Sequence, residues 1–255
     1  RNHSSAASDV YKRQSLNNWA TNVNKAVEDN DQGLVTSNSF LGVFYPSGFT
    51  SDNFGNNIVV PASHMMLRTI ALSDQVSFPW FAPAGTRRGG ITNASSTGYI
   101  NSEGEFVSTA LNEGQRDTLY TNKVNPITFI TGAGLVNFGQ KTRFAGTSSL
   151  DRINVARLVI FLRSQLNKLA RPFVFEPNDK ITRDEIKAQA ESLLLELVGN
   201  RAIFDFLVVC DESNNTPTRI DRNELYLDIA IEPVKAVEFI YIPLRLKNTG
   251  EIAGL

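Results

Sequence analysis

Apolar residues in the first half of the chain alternate between helical spacing and short continuous runs. Leu16, Trp19, Val23 and Val27 recur every three or four positions, which predicts a helix over 15–31 with Ser15 as its N-cap. The run Phe40, Leu41, Gly42, Val43, Phe44, Tyr45 is bounded by Pro46 and Gly48 and predicts a buried strand at 39–45. A polar loop rich in asparagine and glycine follows. Val59 to Ser63 then open a second helix, with Pro61 in or near its first turn, where a missing N–H costs nothing. Met65, Met66, Ile70 and Leu72 help to pack it. Residues 78–90 hold Pro79, Pro83, Gly85, Gly89 and Gly90 and read as a loop anchored by Phe78, Trp80 and Phe81. Polar residues 91–107 with Tyr99, Ile100 and Phe106 predict a small hairpin. Asn112 caps a helix over 115–122, and 124–136 reads as strand, glycine turn, strand.

The pattern sharpens from Asp151. Residues 151–170 contain no glycine or proline and predict a long amphipathic helix, which Arg171-Pro172 stops because a residue before proline avoids the helical region. Phe173, Val174 and Phe175 predict a short strand, and Pro177, Asn178 and Asp179 a turn. Thr182 and Glu185 have the spacing of a capping box for a helix over 182–198, with Gly199 as its left-handed stop. Strands are expected at 203–210, 225–231 and 237–246, with a polar loop at 211–222. Helix, strand, helix and three strands imply an α+β fold, mixed sheets flanked by amphipathic helices.

Two stretches stand out chemically. On a wheel of 100° per residue, Arg152, Arg157, Arg163, Lys168 and Arg171 fall within one arc of roughly 160°. Val155, Leu158, Val159, Leu162, Leu166 and Leu169 take the opposite arc, and no acid lies between Arg152 and Arg171. Such a one-sign stripe fits an acidic partner surface; the other reading is a solvated face paired with acids elsewhere in the fold. In the last predicted strand, Val237, Phe239 and Tyr241 point one way and Glu238, Ile240 and Ile242 the other, with Leu244 and Leu246 continuing the second face. Both faces are largely apolar and need cover. The segment either adds a strand to a neighbouring subunit or is an internal strand with a frayed end.

Composition narrows the function classes. The 255 residues carry a formal net charge of −1, so no global field attracts nucleic acid or an anionic membrane. No apolar stretch approaches the roughly 20 residues of a bilayer span, so direct membrane insertion is not expected. The single cysteine, Cys210, lies in an apolar run and reads as a buried strand thiol. Of two histidines, His3 and His64, neither has a histidine or cysteine neighbour suited to a metal. In Gly132-Ala133-Gly134, the third glycine of a dinucleotide fingerprint would fall on Asn137, so a turn is the better account. Arg87-Arg88 beside glycines is a weak anion signal. The pairs Asp184-Glu185, in a helix first turn, and Asp211-Glu212, in a loop, read as structural. No catalytic, cofactor-binding or metal-ligating residue is assigned.

Taken in order, several short motifs resemble the C-terminal part of contractile phage tail sheath proteins, from about residue 34 to 255. They are Trp80-Phe81-Ala82-Pro83-Ala84-Gly85, Arg152-Ile153-Asn154-Val155-Ala156-Arg157, Phe175-Glu176-Pro177-Asn178-Asp179, Val209-Cys210-Asp211, and Ile231-Glu232-Pro233-Val234 followed by Glu238-Phe239-Ile240. The resemblance implies a structural polymer subunit and not an enzyme. Sheath proteins stack as hexameric rings around a tail tube and collapse to drive the tube through the host envelope. The partners implied are neighbouring sheath subunits, the tail tube protein, the baseplate and the tail terminator, in a virion tail assembled in the host cytoplasm. The family's C-terminal domain faces the tube, and terminal arms add strands to adjacent subunits. On that basis the basic helix is expected to face the tube, and Val237, Phe239, Ile240, Tyr241, Ile242 and Leu244 to form an inter-subunit strand region. The expected organisation is a non-native leader at 1–14 (the other reading is a native flexible tail), the end of a sheath α/β domain at 15–148, and the inner domain with its arm at 149–255. The chain is expected to be a fragment lacking its N-terminal part. The rival readings are another virion structural protein, at the baseplate or tube, and an α/β hydrolase fragment.

Overall fold

The computed structural model describes residues 37–101 and 103–242. The leader at 1–14, the helix expected over 15–31 and residues 243–255, Leu244 among them, lie outside these. Strand β1 (Val43–Tyr45) runs parallel to β6 (Val124–Ile130), which pairs antiparallel with β7 (Gly134–Asn137). A second sheet has the order β3-β2-β4-β5, from β2 (Gly48–Ser51), β3 (Asn57–Val60), β4 (Ser96–Ile100) and β5 (Phe106–Ser108). The helices are α1 (Ala62–Val76), a single turn α2 (Gly85–Arg88), α3 (Glu113–Thr121), α4 (Ile153–Ala170), α5 (Lys180–Gly199) and a short α6 (Pro217–Ile220). Strands β8 (Ile203–Val209) and β9 (Asp228–Pro233) form an antiparallel pair.

Several expectations hold in detail. Asn112 and Gln115 make a reciprocal capping box at α3: each side chain bonds the other residue's backbone N–H. Met65 and Met66 are fully buried in a cluster with Ile127 and Leu135. The glycine pair between β6 and β7 is a hairpin turn, with Gly132 and Gly134 at φ +85° and +78°, a conformation that glycine adopts without a Cβ clash.

Other expectations are corrected. The polar stretch after Pro46 is a β2–β3 hairpin, not a loop. The Asp52 carboxylate accepts from the Phe54 and Asn56 N–H groups and shapes the turn, so Val59 and Val60 belong to a strand and α1 starts only after Pro61. Phe173 to Phe175 form no strand. Arg171–Phe173 is a 3-10 turn and Phe175 stands at φ +77°, because the chain turns between two helices and no described strand pairs with it. The cap of α5 is Asp179, whose carboxylate accepts from Thr182 N–H at 2.9 Å; the predicted box lies one turn too far along, and Asp184 and Glu185 are past the first turn. The left-handed residue ending α5 is Arg201 at φ +61°, not Gly199. Bonds from Ala202 N–H to Leu197 C=O and from Arg201 N–H to Val198 C=O complete a Schellman closure. Strand β9 starts at Asp228 rather than 225, and among the described residues 237–242 join no ladder, which leaves β8 and β9 as a two-stranded sheet there.

Helices α4 and α5 cover one face of β8–β9. Ala190, Leu194 and Leu197 recur every three or four residues along α5 and meet Leu158 and Leu162 of α4 and Ile203 and Val208 of β8. Each fully buried leucine contributes about 2 kcal/mol. Trp80 completes this core from the loop after α1. Its ring packs edge-on to Phe161 at 5.3 Å and stacked on Phe78 at 4.6 Å, and its indole N–H donates to Asn200 C=O.

Candidate assembly surfaces

The five basic residues of the predicted stripe divide into two groups. Arg152 is the N-cap of α4 in extended backbone, bridged to Lys141, and pairs with Asp151 at 2.8 Å and Glu238 at 2.6 Å. Arg157 donates to Asp74 of α1 at 2.6 Å. Both are therefore turned toward acids far away in sequence. Arg163, Lys168 and Arg171 are exposed and make no ion pair among the described residues. Lys168 stands in the last turn of α4, where positive charge complements the helix dipole. Ile160, 54% exposed, lies one turn before this trio, so the outward patch is part cationic and part apolar.

Residues 237–242 lie at the surface outside any helix or strand, with their apolar side chains in solvent; Tyr241 and Ile242 are 88% and 82% exposed. Glu238 does the opposite. Its carboxylate accepts a two-pronged bond from Arg152 Nε at 2.6 Å and Nη2 at 3.0 Å, another from Gln140 Nε2 at 3.0 Å, and is met by Tyr120. Burial alone would raise the Glu238 carboxyl, but these donors hold it below its ordinary value. The neighbouring Tyr120 hydroxyl is pushed well up, first by burial and then by the Glu238 charge.

A third surface is one the sequence did not reveal. With only two strands, β8–β9 leaves an unpaired edge on each side among the described residues, and Phe204 and Leu207 of β8 are exposed. An expected third strand hid these edges from sequence reasoning.

The remaining chemical candidates have structural settings. Arg88 lies over the Phe81 ring at 4.5 Å. Cys210 is buried, its thiol pushed up by desolvation, with Asn215 against it. No group of three His, Cys, Asp or Glu side chains that could hold a metal occurs among the described residues.

Among the described residues, the exposed features are an apolar segment at 237–242, the edges of β8–β9 and a cationic patch on α4. Residues 146–247 match the phage tail sheath C-terminal domain. The tail sheath protein of Vibrio phage KVP40 is 32% identical over 248 residues, covering 94% of this chain and 35% of the relative. That of Enterobacteria phage T4 is 31% identical with the same coverage. The sheath complex of an extracellular contractile injection system in its contracted state shares the fold, with a TM-score of 0.72 at 20% identity over 89% of this chain and 61% of the other. The chain is similar to phage tail sheath proteins over nearly all of its length, and it spans about a third of the length of the curated relatives it matches.

Proposed function

We propose that the chain is the C-terminal part of a contractile tail sheath subunit, a structural protein and not an enzyme. It polymerises as rings around a tail tube and contracts to drive the tube through the host envelope. The observation that carries this reading is the apolar segment 237–242, held at Glu238 and otherwise exposed, in a chain similar to tail sheath proteins over nearly all of its length. Val237, Phe239, Ile240, Tyr241 and Ile242 supply the strand for a neighbouring subunit. The open edges of β8–β9 receive such a strand, the main chain giving affinity and alternate side chains register. Arg163, Lys168 and Arg171 face an acidic tube surface, while Arg152 and Arg157 are occupied within the subunit. Exposed ion pairs of this kind are worth about 0.2–1 kcal/mol each. Repetition along a tube then gives an attachment that is firm in sum and released collectively. Baseplate and tail terminator are the remaining partners, in a virion tail assembled in the host cytoplasm.

Negative-stain electron microscopy of the full-length protein tests the reading. Striated hollow tubes or stacked rings are expected; dispersed monomers across salt and concentration would overturn it.

A further inference from the structure

Along residues 235–242 the usual order of burial is inverted. The Glu238 side chain is 15% exposed, whereas Val237 and Phe239 on either side are 79% and 66% exposed. A free apolar segment would lay its hydrocarbon on the body and leave the acid in water. Here the acid wins because its receptor is already built. The planar Arg152 fork matches the carboxylate, and Gln140 and Tyr120 supply the other donors. Grooves of about 380 and 730 Å³ border residues 236–239. On the N-terminal side, the last backbone tie among the described residues is Val234 N–H to Ala202 C=O. Arg152 is also the N-cap of α4, the helix whose later turns bear Arg163 and Lys168.

We propose that the Arg152–Glu238 pair is a latch. It fixes where the apolar segment leaves the body and ties that point to the start of α4. A neighbouring copy gripping the segment then pulls on α4 through one ion pair, which links the inter-subunit surface to the helix bearing the cationic patch. The neighbour and the tube rest on the sheath reading; the latch itself is a property of a single copy. Arg152 and Glu238 act as positioning residues, through the segment and the helix they join. Lysine at 152 would keep the charge and lose the fork.

The test uses Glu238→Gln and Arg152→Lys in the full-length protein, with trypsin as the probe. Lys235 is exposed and lies between the Val234 tie and the latch. Cleavage after it requires the local segment to open and tracks the open population when reclosing is fast. Losing the fork raises cleavage after Lys235 on the order of tenfold, with cleavage elsewhere unchanged. Where Glu238→Gln fails to fold, Glu238→Asp, which keeps the charge but shortens its reach, is expected to give the same local rise. In assembled tubes the variants show a broadened axial repeat. A merely stabilising pair would lower tube yield and leave the repeat of surviving tubes as in the wild type. Unchanged Lys235 cleavage in the folded variants overturns the latch, and an unchanged repeat overturns its link to assembly. Should the wild type form no tubes, the sheath reading falls while the cleavage comparison still decides the latch.

Discussion

Replacing Trp80 by alanine removes the buried aromatic that the N-terminal half contributes to the core beneath α4 and α5, where Phe81 is only partly buried. The indole is 6% exposed, stacks on Phe78 at 4.6 Å and meets Phe161 edge-on at 5.3 Å. Its N–H donates to Asn200 C=O at the C-cap of α5, and Asn154, 74 residues away, donates to its backbone carbonyl. Deleting so large a buried ring costs about 3–5 kcal/mol in lost transfer energy and cavity. For a chain of this size that corresponds to a fall in Tm of roughly 6–20 °C. Trp80→Phe keeps most of the ring and loses the N–H donor, a cost of about 1 kcal/mol. Thermal and denaturant unfolding followed by circular dichroism would separate the two. A steep ladder, alanine well below phenylalanine and phenylalanine slightly below wild type, supports a core shared across the expected boundary at 148/149. An alanine variant within about 1 kcal/mol of wild type would show that the tryptophan only covers the surface of a core complete without it.

Further predictions concern charge. The Glu238 carboxyl is held below its ordinary value in the folded chain, so its contribution to stability is present above the ordinary carboxylate range and lost as pH falls through the lowered folded value. Tm measured against pH should show the wild-type advantage over Glu238→Gln shrinking in that acid window and level above it. Asp179→Ala should lower Tm more than Glu185→Ala, since only Asp179 accepts a backbone N–H at the start of α5; equal effects would put the cap elsewhere. Reversing Arg163 and Lys168 to glutamate should cost no more than about 1 kcal/mol, through the dipole of α4 at Lys168, and weaken attachment to a tube. Arg157→Glu should instead cost roughly 1–3 kcal/mol by setting two carboxylates together at Asp74, which a urea titration would read.

Local signals in the sequence were legible where physics is local. Asn112 with Gln115, the glycines between β6 and β7, and the long run free of glycine and proline from 153 to 170 each specify an element with little outside help. The errors arose where two local candidates competed or where the decisive partner was remote. Asp179 and Thr182 both suit an N-cap, and the carboxylate took the role. Asp52 organised a hairpin inside a stretch whose asparagines and glycines also suit a loop. Arg152 and Arg157 looked like solvent-facing charges because Glu238 and Asp74 stand 86 and 83 residues away, and no periodicity reports such pairs. The segment at 237–242 was legible as apolar on both faces, but its strand needs a ladder partner, and no described strand of its own chain pairs with it.

The central claim is that the apolar segment beyond Glu238 and the outward face of α4 are contacts of a tubular polymer. A helical cryo-electron microscopy reconstruction of the full-length protein assembled on its tube tests it most directly. The expected result is residues 237–242 paired as a strand with β8 or β9 of an adjacent subunit, and Arg163, Lys168 and Arg171 lining the lumen against the tube. A lattice in which that segment folds back on its own subunit, with α4 facing outward, would contradict it.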